Sequence, residues 1–451
     1  MLRQKRIDQM KTAKTKVLAI FIMIFLVVIN TTGCWSRRDL TEMAIATAVG
    51  LDKTDAGDIE ITVQVVKPGV IKARDKGSEE ETTWVYSATG KTVFSAIRNL
   101  LTTVNRKTYF SHVQLMVIGE ELAREGVMCV LDLFERDKET QKKANMIIAR
   151  GLTAKEVLQA ESDLENIPAL HINSILDNYD TLAKIRKITF IDLMADFNYS
   201  GFSPTVGIIQ RDNLTDKHKN QQLSTGEQQS GKAESLQTQG KEDSGQEQKE
   251  SALKTVNEKA SSDQGDDLQI KDLEVKGTAV FKKDKVIGWL EPFETRGLLF
   301  ALDEVKSGII NVNNPLDKGK KVGYEIFNSS GTLKVEIKDG EPKLGIEVKV
   351  LGNLADQQGK GDLTTPEMIK KMNKAVAKYI ENNIQSAVDR AQQDFKVDYF
   401  GFSQMLYKNH VQYWRKVEKD WSNVFSKLPV EIKVEWTTDS SALIKRTSTA
   451  R

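Results

Sequence analysis

The side chains able to perform chemistry in this sequence are few and widely spaced. The 451 residues include two cysteines, Cys34 and Cys129, and four histidines, His112, His171, His218 and His410. No pair of them has the spacing of zinc ligands, and the sequence contains neither a glycine-rich phosphate loop nor the G-x-S-x-G turn of serine hydrolases. The many Asp and Glu residues are scattered, as is typical of solvated faces. We therefore predict no catalytic residue, no metal site and no cofactor, and expect that the protein is not an enzyme.

Cys34 stands at the end of a segment with the composition of an export signal. Residues 1–33 carry six basic side chains against one acid, and an unbroken apolar run extends from Val17 to Ile29. Basic residues, a short apolar run and small residues together form a secretory signal peptide. A cysteine directly after Gly33 resembles the lipobox, in which cleavage leaves the lipidated cysteine as the new N-terminus. We predict a signal peptide over 1–33, cleaved between Gly33 and Cys34, with S-diacylglycerol and N-acyl groups on Cys34.

One departure from the lipobox leaves an alternative open. Thr31 occupies the position where a lipobox usually has Leu, and no charged residue occurs between Val17 and Ser36. About 20 uncharged residues are enough to span a hydrocarbon core of ~30 Å as an uncleaved helical anchor. Both interpretations place the rest of the chain outside the cytoplasmic membrane, because basic residues mark the side that stays inside.

Cys129 has a different predicted role. It lies in the segment EELAREGVMCVLDLFERD, where apolar residues at helical spacing predict one buried face, formed by Leu122, Val127, Val130, Leu131 and Phe134. A free cysteine in such a helix usually packs as a small hydrophobic residue. We predict that Cys129 is buried and unreactive.

Composition bounds the class of protein. With 39% apolar and 28% charged residues the chain is typical of soluble domains, so a membrane protein with several spans is excluded. A length of 451 residues is enough for two or three domains. The formal net charge is only +2, and the basic cluster belongs to the leader, so we predict no nucleic-acid partner.

The apolar periodicity divides the remainder into three parts. Residues 34–210 alternate between strands and helices, including the strand IEITVQVV and a helix whose capping box pairs Thr153 with Glu156. Residues 211–269 are rich in Gln, Ser, Lys and Glu, and we interpret them as a disordered polar insert or linker. Residues 270–451 form a C-terminal α+β region. The predicted fold class is α+β, with several mixed α/β domains in which sheets pack on helices.

The C-terminal region carries the strongest local signals. Hairpin turns are predicted at Lys283-Asp284 and Asp339-Gly340, and Pro366 lies in the first turn of an amphipathic helix of about 30 residues. An aromatic-rich helix is predicted through the segment that contains Trp414 and Trp421. Core packing explains its spaced aromatic residues more simply than a ligand-stacking platform does; the set comprises Tyr399, Phe400, Phe402, Tyr407, Tyr413, Trp414, Trp421 and Phe425.

Several blocks of this sequence, in order, resemble one family. They are the opening Cys34-Trp35 with Arg38-Asp39-Leu40, then Val49-Gly50-Leu51-Asp52, SHVQLMVIGEELAREG, GTAVFKKDKVIGWLEPFETRGLL and DYFGFSQMLYKNHVQYWRKVEKDWSNVFSKLPVEIKVE. These blocks are similar to segments of the Ger(x)C spore germination lipoproteins, the C subunits of nutrient germinant receptors. The resemblance covers nearly the whole mature chain except the insert.

The resemblance implies a function. Ger(x)C proteins are lipid-anchored, non-enzymatic subunits on the outer face of the spore inner membrane, and they work beside two integral membrane subunits, A and B, in nutrient-triggered germination. Of the functional positions, only Cys34 carries over, as the residue attached to membrane lipid. The alternative function is an extracytoplasmic small-solute-binding or wall-associated lipoprotein. The Trp414–Trp421 helix and the Gly277–Leu299 block are candidate docking regions, although burial in the core explains both equally well.

Overall fold

The computed structural model of this chain describes residues 16–25, 43–66, 83–104, 106–160, 167–212 and 273–439. The chain divides into two units, residues 1–44 and residues 45–451. In the first unit, residues 16–25 form a helix, α1, whose apolar side chains are exposed. Within the described ranges, no helix has both the length and the apolar character needed to cross a membrane.

The second unit contains a large mixed sheet. Its described strands are β1 (Met43–Lys53), β2 (Ile59–Val66), β3 (Thr83–Gly90), β4 (Lys107–Tyr109), β5 (Leu115–Gly119), β6 (Asn145–Arg150), β7 (Ile188–Thr189), β8 (Thr205–Arg211), β9 (Leu273–Lys282) and β10 (Lys285–Leu290). The strand order is β10-β9-β8-β6-β5-β1-β2-β3, with β4 beside β1 and β7 beside β6. The four central strands β8, β6, β5 and β1 are parallel, and the flanking pairs are antiparallel. Continuous apolar strands such as Leu115–Gly119 are buried along their whole length, as parallel strands covered on both faces must be.

Helices connect the strands of this sheet. They are α2 (Val93–Leu100), α3 (Glu120–Glu125), α4 (Met128–Arg136), α5 (Ala154–Gln159), α6 (Pro168–Asp177), α7 (Tyr179–Leu182) and α8 (Phe190–Phe197). The predicted capping box of α5 is confirmed, because the Thr153 side chain accepts from the Glu156 backbone N–H and the Glu156 side chain accepts from Thr153 N–H.

The predicted burial of Cys129 is wrong. The single helix expected around it is two helices, because Gly126 takes a φ of 141° and ends α3 before α4 begins at Met128. In α4 the residues Val130, Leu131 and Phe134 take the buried face, and Cys129 lies beside that face with its side chain exposed.

Residues 213–272 begin and end at neighbouring strands. Arg211 of β8 pairs with Leu273 of β9, so the chain leaves the sheet and returns to it at adjacent positions. Strands β9 and β10 follow this stretch in the sequence and complete the first sheet. The distance between the end of β8 and the start of β9 is therefore set by the pairing of these two strands, and it does not depend on the number of residues in 213–272.

A second sheet follows. Its strands are β11 (Gly308–Asn313), β12 (Lys321–Lys338), β13 (Glu341–Gln357) and β14 (Val430–Thr438), in that order, with β13 and β14 parallel and the other pairs antiparallel. Both predicted hairpin turns are confirmed. Asp339 and Gly340 have φ values of 55° and 85°, as a two-residue type I′ turn requires, and Lys283 has a φ of 57° between β9 and β10.

Five helices complete the described C-terminal part: α9 (Pro292–Ala301), α10 (Pro366–Asp389), α11 (Phe402–Asn409), α12 (Val411–Val417) and α13 (Trp421–Phe425). Helix α10 continues into a π-helical turn at Arg390–Phe395, which confirms the long amphipathic helix. One hydrophobic cluster runs from Val280 and Leu290 of the first sheet through α9 and α10 to Trp436 of β14. Helices and mixed sheets sharing this core make the fold α+β, as predicted.

The aromatic-rich segment differs from the prediction. It forms the three short helices α11, α12 and α13 instead of one. The backbone of His410 leaves helical geometry, with φ −136° and ψ 50°, and separates α11 from α12. A 3-10 turn at Glu418–Asp420 then precedes α13. The regular spacing of aromatic residues indicated burial correctly but could not reveal these breaks.

Because β8 and β9 are neighbours, the length of 213–272 should be dispensable for folding. We expect that replacing residues 214–271 by eight Gly and Ser residues leaves the circular dichroism spectrum unchanged. The free energy of unfolding should rise by about 1–2 kcal/mol, since closing a shorter loop loses less entropy. Urea unfolding measures this change. The control is a deletion extended through Val275, which is buried in β9, and this variant should be less stable than wild type. An equal loss of stability in both variants would mean that the pairing of β8 with β9 does not make the length of 213–272 dispensable.

Candidate functional site

The predicted lipidation and cleavage residues, Gly33 and Cys34, lie outside the described residues. Their roles therefore stay predictions. The remaining sequence candidates can be placed in the fold, and they separate into histidines, the second cysteine and the aromatic set.

The three histidines within the described ranges belong to different parts of the fold. His112 precedes β5 and lies against the ring of Tyr109 at 6.1 Å, His171 belongs to α6, and His410 joins α11 to α12. His218 is outside the described residues. Among the described residues, no group of three or more His, Cys, Asp or Glu side chains is placed to hold a metal ion. The exposed Cys129 donates its thiol to the Gly126 carbonyl oxygen at 3.3 Å, and partial burial together with the Asp284 carboxylate raises the pKa of that thiol.

The aromatic residues form core and not a platform. Trp414, Trp421 and Phe425 are buried, and the rings of Trp414 and Trp421 meet edge to face with centroids 5.6 Å apart. Tyr399, Phe400 and Phe402 are buried as well, whereas Tyr407 is 60% exposed. Docking through Trp414 or Trp421 is therefore not available to a partner unless the core opens.

The other candidate docking block, Gly277–Leu299, also makes contacts within the chain. The ring of Trp289 contacts two guanidinium groups, that of Arg124 at 5.3 Å and that of Arg150 at 5.4 Å from the ring centroid. Arg150 in turn pairs with Glu291 at 2.9 Å. These contacts attach β10 to α3 and β6 of the N-terminal part through cation–π attraction.

Asp398 is the charged residue around which the C-terminal helices are arranged. Its carboxylate is buried and accepts from four backbone N–H groups: from Phe400 at 3.1 Å, Gly401 at 3.0 Å, Phe402 at 3.3 Å and Ser403 at 2.7 Å. The indole N–H of Trp421 is a fifth donor, at 3.2 Å. This carboxylate therefore satisfies the free N–H groups at the start of α11 and fixes the position of Trp421.

Burial and hydrogen bonding have opposite effects on the pKa of the Asp398 carboxyl. Burial raises the pKa of Asp398, and the N–H donors of Ser403 and Gly401 counteract it by favouring the charged form. An unpaired carboxylate would not persist at such a depth, so the five donors are what allow the residue to be there. The backbone of Asp398 also connects the C-terminal region to the N-terminal region, because its carbonyl oxygen accepts from Ser203 N–H at 2.9 Å.

A cleft lies where the N-terminal and C-terminal regions meet, beside Ser203 and Asp398. We call it the junction cleft; it has a volume of about 590 Å³. The loop 197–204 after α8 forms one wall. The β9–β10 turn, the loop 396–398 and the segment 418–422 form the other. Gly201 is required at its base, because a Cβ there would lie 2.5 Å from Trp414 Cη2 and 2.9 Å from Trp421 Cδ1.

A second buried carboxylate, Asp52, lies at the carboxyl ends of the parallel strands. Its two oxygens accept from Ala154 N–H at 2.8 Å and Lys155 N–H at 2.9 Å, at the start of α5. Gly119 is beside it, where a Cβ would lie 2.1 Å from Asp52 Oδ1. Burial raises the pKa of Asp52 to about 6, although both N–H donors oppose this shift. The residue lines a depression of about 420 Å³.

Sequence reasoning did not assign a role to either aspartate. Both occur in blocks that carried the family resemblance, Asp52 in VGLD and Asp398 in DYFGFS. The signal that could have found them is a charged residue within an apolar run, as at Asp398, or directly at its end, as at Asp52, where burial demands hydrogen-bond donors. Their partners could not be read from the sequence, since Asp52 binds a helix 102 residues away.

Two family models match this chain. The model described as "Spore germination protein N-terminal domain" matches residues 36–211, and the model described as "Spore germination B3/GerAC like, C-terminal" matches residues 276–441. The matched ranges leave out the leader and the stretch between β8 and β9. Each half of the junction cleft therefore comes from a different matched range.

Curated relatives match over almost their whole length. Spore germination protein KC of Bacillus subtilis (strain 168) is 24% identical over 425 residues, which cover 92% of this chain and 93% of that protein. Spore germination protein B3 of the same strain is 23% identical, covering 92% of this chain and 95% of that protein. The crystal structure of the GerBC protein is similar with a TM-score of 0.50 and 18% identity, covering 86% of this chain and 96% of that one. At this identity the last likeness concerns the fold alone.

The buried Asp52 predicts a pH dependence of stability. A folded-state pKa of about 6, above the unfolded value of 3.8, means that its contribution is present below pH 3.8 and is lost as pH rises through about 6. The free energy of unfolding of the wild type should therefore fall by up to ~3 kcal/mol between pH 4 and 7 relative to Asp52→Asn. Urea unfolding across this range measures the difference. Glu121→Gln, at the exposed rim of the same depression, should keep the wild-type profile; identical profiles for wild type and Asp52→Asn would refute the shift.

The tight packing at Gly201 predicts a large cost of substitution. Gly201→Ala should lower the free energy of unfolding by ~2–4 kcal/mol, because the new Cβ meets two Trp side chains in a left-handed backbone of φ 77°. Gly151→Ala is the matched control, with a φ of 67° and no heavy atom within 4 Å of its Cβ, and should cost only about 1 kcal/mol. Thermal unfolding measures both. Equal losses would mean that backbone conformation, and not contact with Trp414 and Trp421, determines the cost.

Proposed function

The chain belongs to the B3/GerAC family of spore germination proteins, and from this membership we propose that it is the lipid-anchored, non-enzymatic C subunit of a nutrient germinant receptor. The observation that carries the proposal is the arrangement of the family matches, which begin two residues after Cys34 and continue to residue 441 apart from one interruption. A family ectodomain that follows an export signal and a cysteine is the organisation expected of a tethered subunit.

The proposed anchor is the lipidated Cys34. Two acyl chains hold a protein firmly at a membrane, whereas a single chain gives only marginal binding. Residues 35–42 separate Cys34 from β1, and a segment of that length spans at most about 30 Å when fully extended. The folded unit would thus stay close to the lipid surface, on the outer face of the spore inner membrane. This position suits docking on membrane-embedded subunits.

The proposed partners are the two integral membrane subunits, A and B, and the proposed role is assembly of the complex that answers to nutrients. Contacts through Trp289, Asp398 and the β8–β9 pair connect the two matched ranges. A unit connected in this way can present one fixed surface to two partners, which lowers the entropy lost on docking. The non-enzymatic character is part of the proposal and rests on the family.

The anchor is tested by Cys34→Ala. We expect the wild-type chain in the membrane fraction, carrying metabolically incorporated fatty acid, and the variant without label and no longer at the membrane. Spores with the variant should lose the response to one class of nutrient while other triggers still work. Cys129→Ala is the matched control, since this cysteine is exposed and should leave labelling and germination unchanged.

Two results would contradict the proposal. Retention of the fatty-acid label by Cys34→Ala would show that another residue is acylated. A variant that loses the label but stays in the membrane fraction would favour the uncleaved helical anchor. If germination with every nutrient is unchanged by deletion of the whole gene, in a strain without a redundant copy, the receptor role is wrong.

A further inference from the structure

The junction cleft has the size and position of a ligand site, which the proposed receptor role does not require. Pockets for small molecules have volumes of ~300–1,000 Å³ and occur preferentially where two parts of a protein meet. The junction cleft, at about 590 Å³, lies between the ranges matched by the two family models. Its concave shape fits a compact soluble molecule better than a flat membrane or protein surface.

The walls of the cleft are preformed. Ser203 N–H donates to the Asp398 carbonyl oxygen at 2.9 Å, and Phe281 N–H donates to the Pro204 carbonyl oxygen at 3.0 Å. The Asp398 carboxylate accepts from the Trp421 indole N–H and so fixes the position of Trp421 in the second wall. A ligand entering such a site does not need to order its walls, which removes a common cost of binding.

Lysines are the most numerous charged residues that line the cleft. Four exposed lysines line the cleft, Lys282, Lys283, Lys396 and Lys419. Within the described ranges no ion pair at 4.0 Å or less involves any of these four. The acids that line the cleft are Asp284, Glu418 and the buried Asp398, so four lysines face three carboxylates.

Two of the lysines occupy backbone positions that lysine rarely takes. Lys283 has a φ of 57° and Lys396 a φ of 52°, in the left-handed region that favours Gly and Asn. The hairpin turn accounts for Lys283, and Lys396 is the left-handed C-cap of the π-helical turn, so the backbone fixes where both lysines leave the chain. The two positions come from separate turns, one between β9 and β10 and one after the π-helical turn of α10.

The inner surface is apolar. Met128, Phe197, Phe202, Val397 and Trp421 contribute to it, and the exposed Tyr199 lies at its edge. Phe197 is supported from behind by the ring of Phe281, with centroids 5.6 Å apart. Aromatic and aliphatic side chains provide the contact area for the body of a ligand, while a few charged groups fix its orientation.

From this combination we propose that the junction cleft binds a small soluble organic anion. Its carboxylate or phosphate group contacts the lysines at the rim, and its apolar or aromatic body packs on the partly exposed Phe197 and Phe202. Because the walls belong to both matched ranges, the bound anion connects them and stabilises the fold against separation of its two halves. The proposal stands independently of membrane attachment and of the receptor role.

The test uses the purified full-length chain in detergent and three probes that share one aromatic ring. Phenyl phosphate and benzoate are the anions, and benzylamine is the cation of the same shape. In isothermal titration calorimetry we expect saturable binding of at least one anion and none of benzylamine. The double variant Lys283→Met/Lys396→Met should weaken anion binding by about tenfold or more, since charge-assisted contacts are lost.

Two further variants keep the test decisive. Lys408→Met/Lys427→Met removes two exposed lysines elsewhere and should leave the affinity unchanged. Ser200→Trp, at an exposed position on the cleft wall, should fill the cleft and abolish binding while the circular dichroism spectrum stays that of the wild type. The proposal is overturned if neither anion binds saturably, if benzylamine binds as tightly as the anions, or if Ser200→Trp binds the anion unchanged.

Discussion

The constraint on which the rest of this structure depends is the burial of one carboxylate, that of Asp398. A charge at this depth is tolerated only when donors surround it, and here four backbone N–H groups and the Trp421 indole do so. Satisfying them fixes where α11 begins and where Trp421 lies. Trp421 and Trp414 then leave no room for a side chain at residue 201, so Gly201 must form the opposite wall. One electrostatic requirement thus shapes both sides of the junction cleft.

This arrangement connects the local chemistry to the proposed role. The sheet that begins at β1 is completed by β9 and β10, and the hydrophobic cluster continues from there into the second sheet. A subunit that is held to a membrane by one lipidated residue can pass the effect of binding from one partner to another only if its folded part moves as a unit. The Asp398 contacts, the cation–π contacts of Trp289 and the pairing of β8 with β9 provide that continuity.

The sequence revealed what neighbouring residues determine. The Thr153 capping box, the Asp339-Gly340 turn and the long amphipathic helix from Pro366 depend on spacings of a few residues, and all three are confirmed. The exposure of Cys129 and the division of the aromatic helix were missed, because a φ of 141° at Gly126 and the backbone of His410 interrupt patterns that looked continuous. The hydrogen bonds of Asp52 were not predictable either, since its donors begin a helix 102 residues away, and neither was the bond from Trp421 to Asp398, which lie 23 residues apart. Cys34 stays a sequence prediction.

Association with membrane subunits is the central claim of this account, and affinity purification tests it most directly. An affinity-tagged copy of the chain would be recovered from detergent-solubilised spore membranes after mild cross-linking, and its companions quantified by mass spectrometry. We expect two polytopic membrane proteins in amounts comparable to the tagged chain, and neither of them in a preparation from untagged spores. Recovery of the chain alone, or with soluble proteins only, would contradict it.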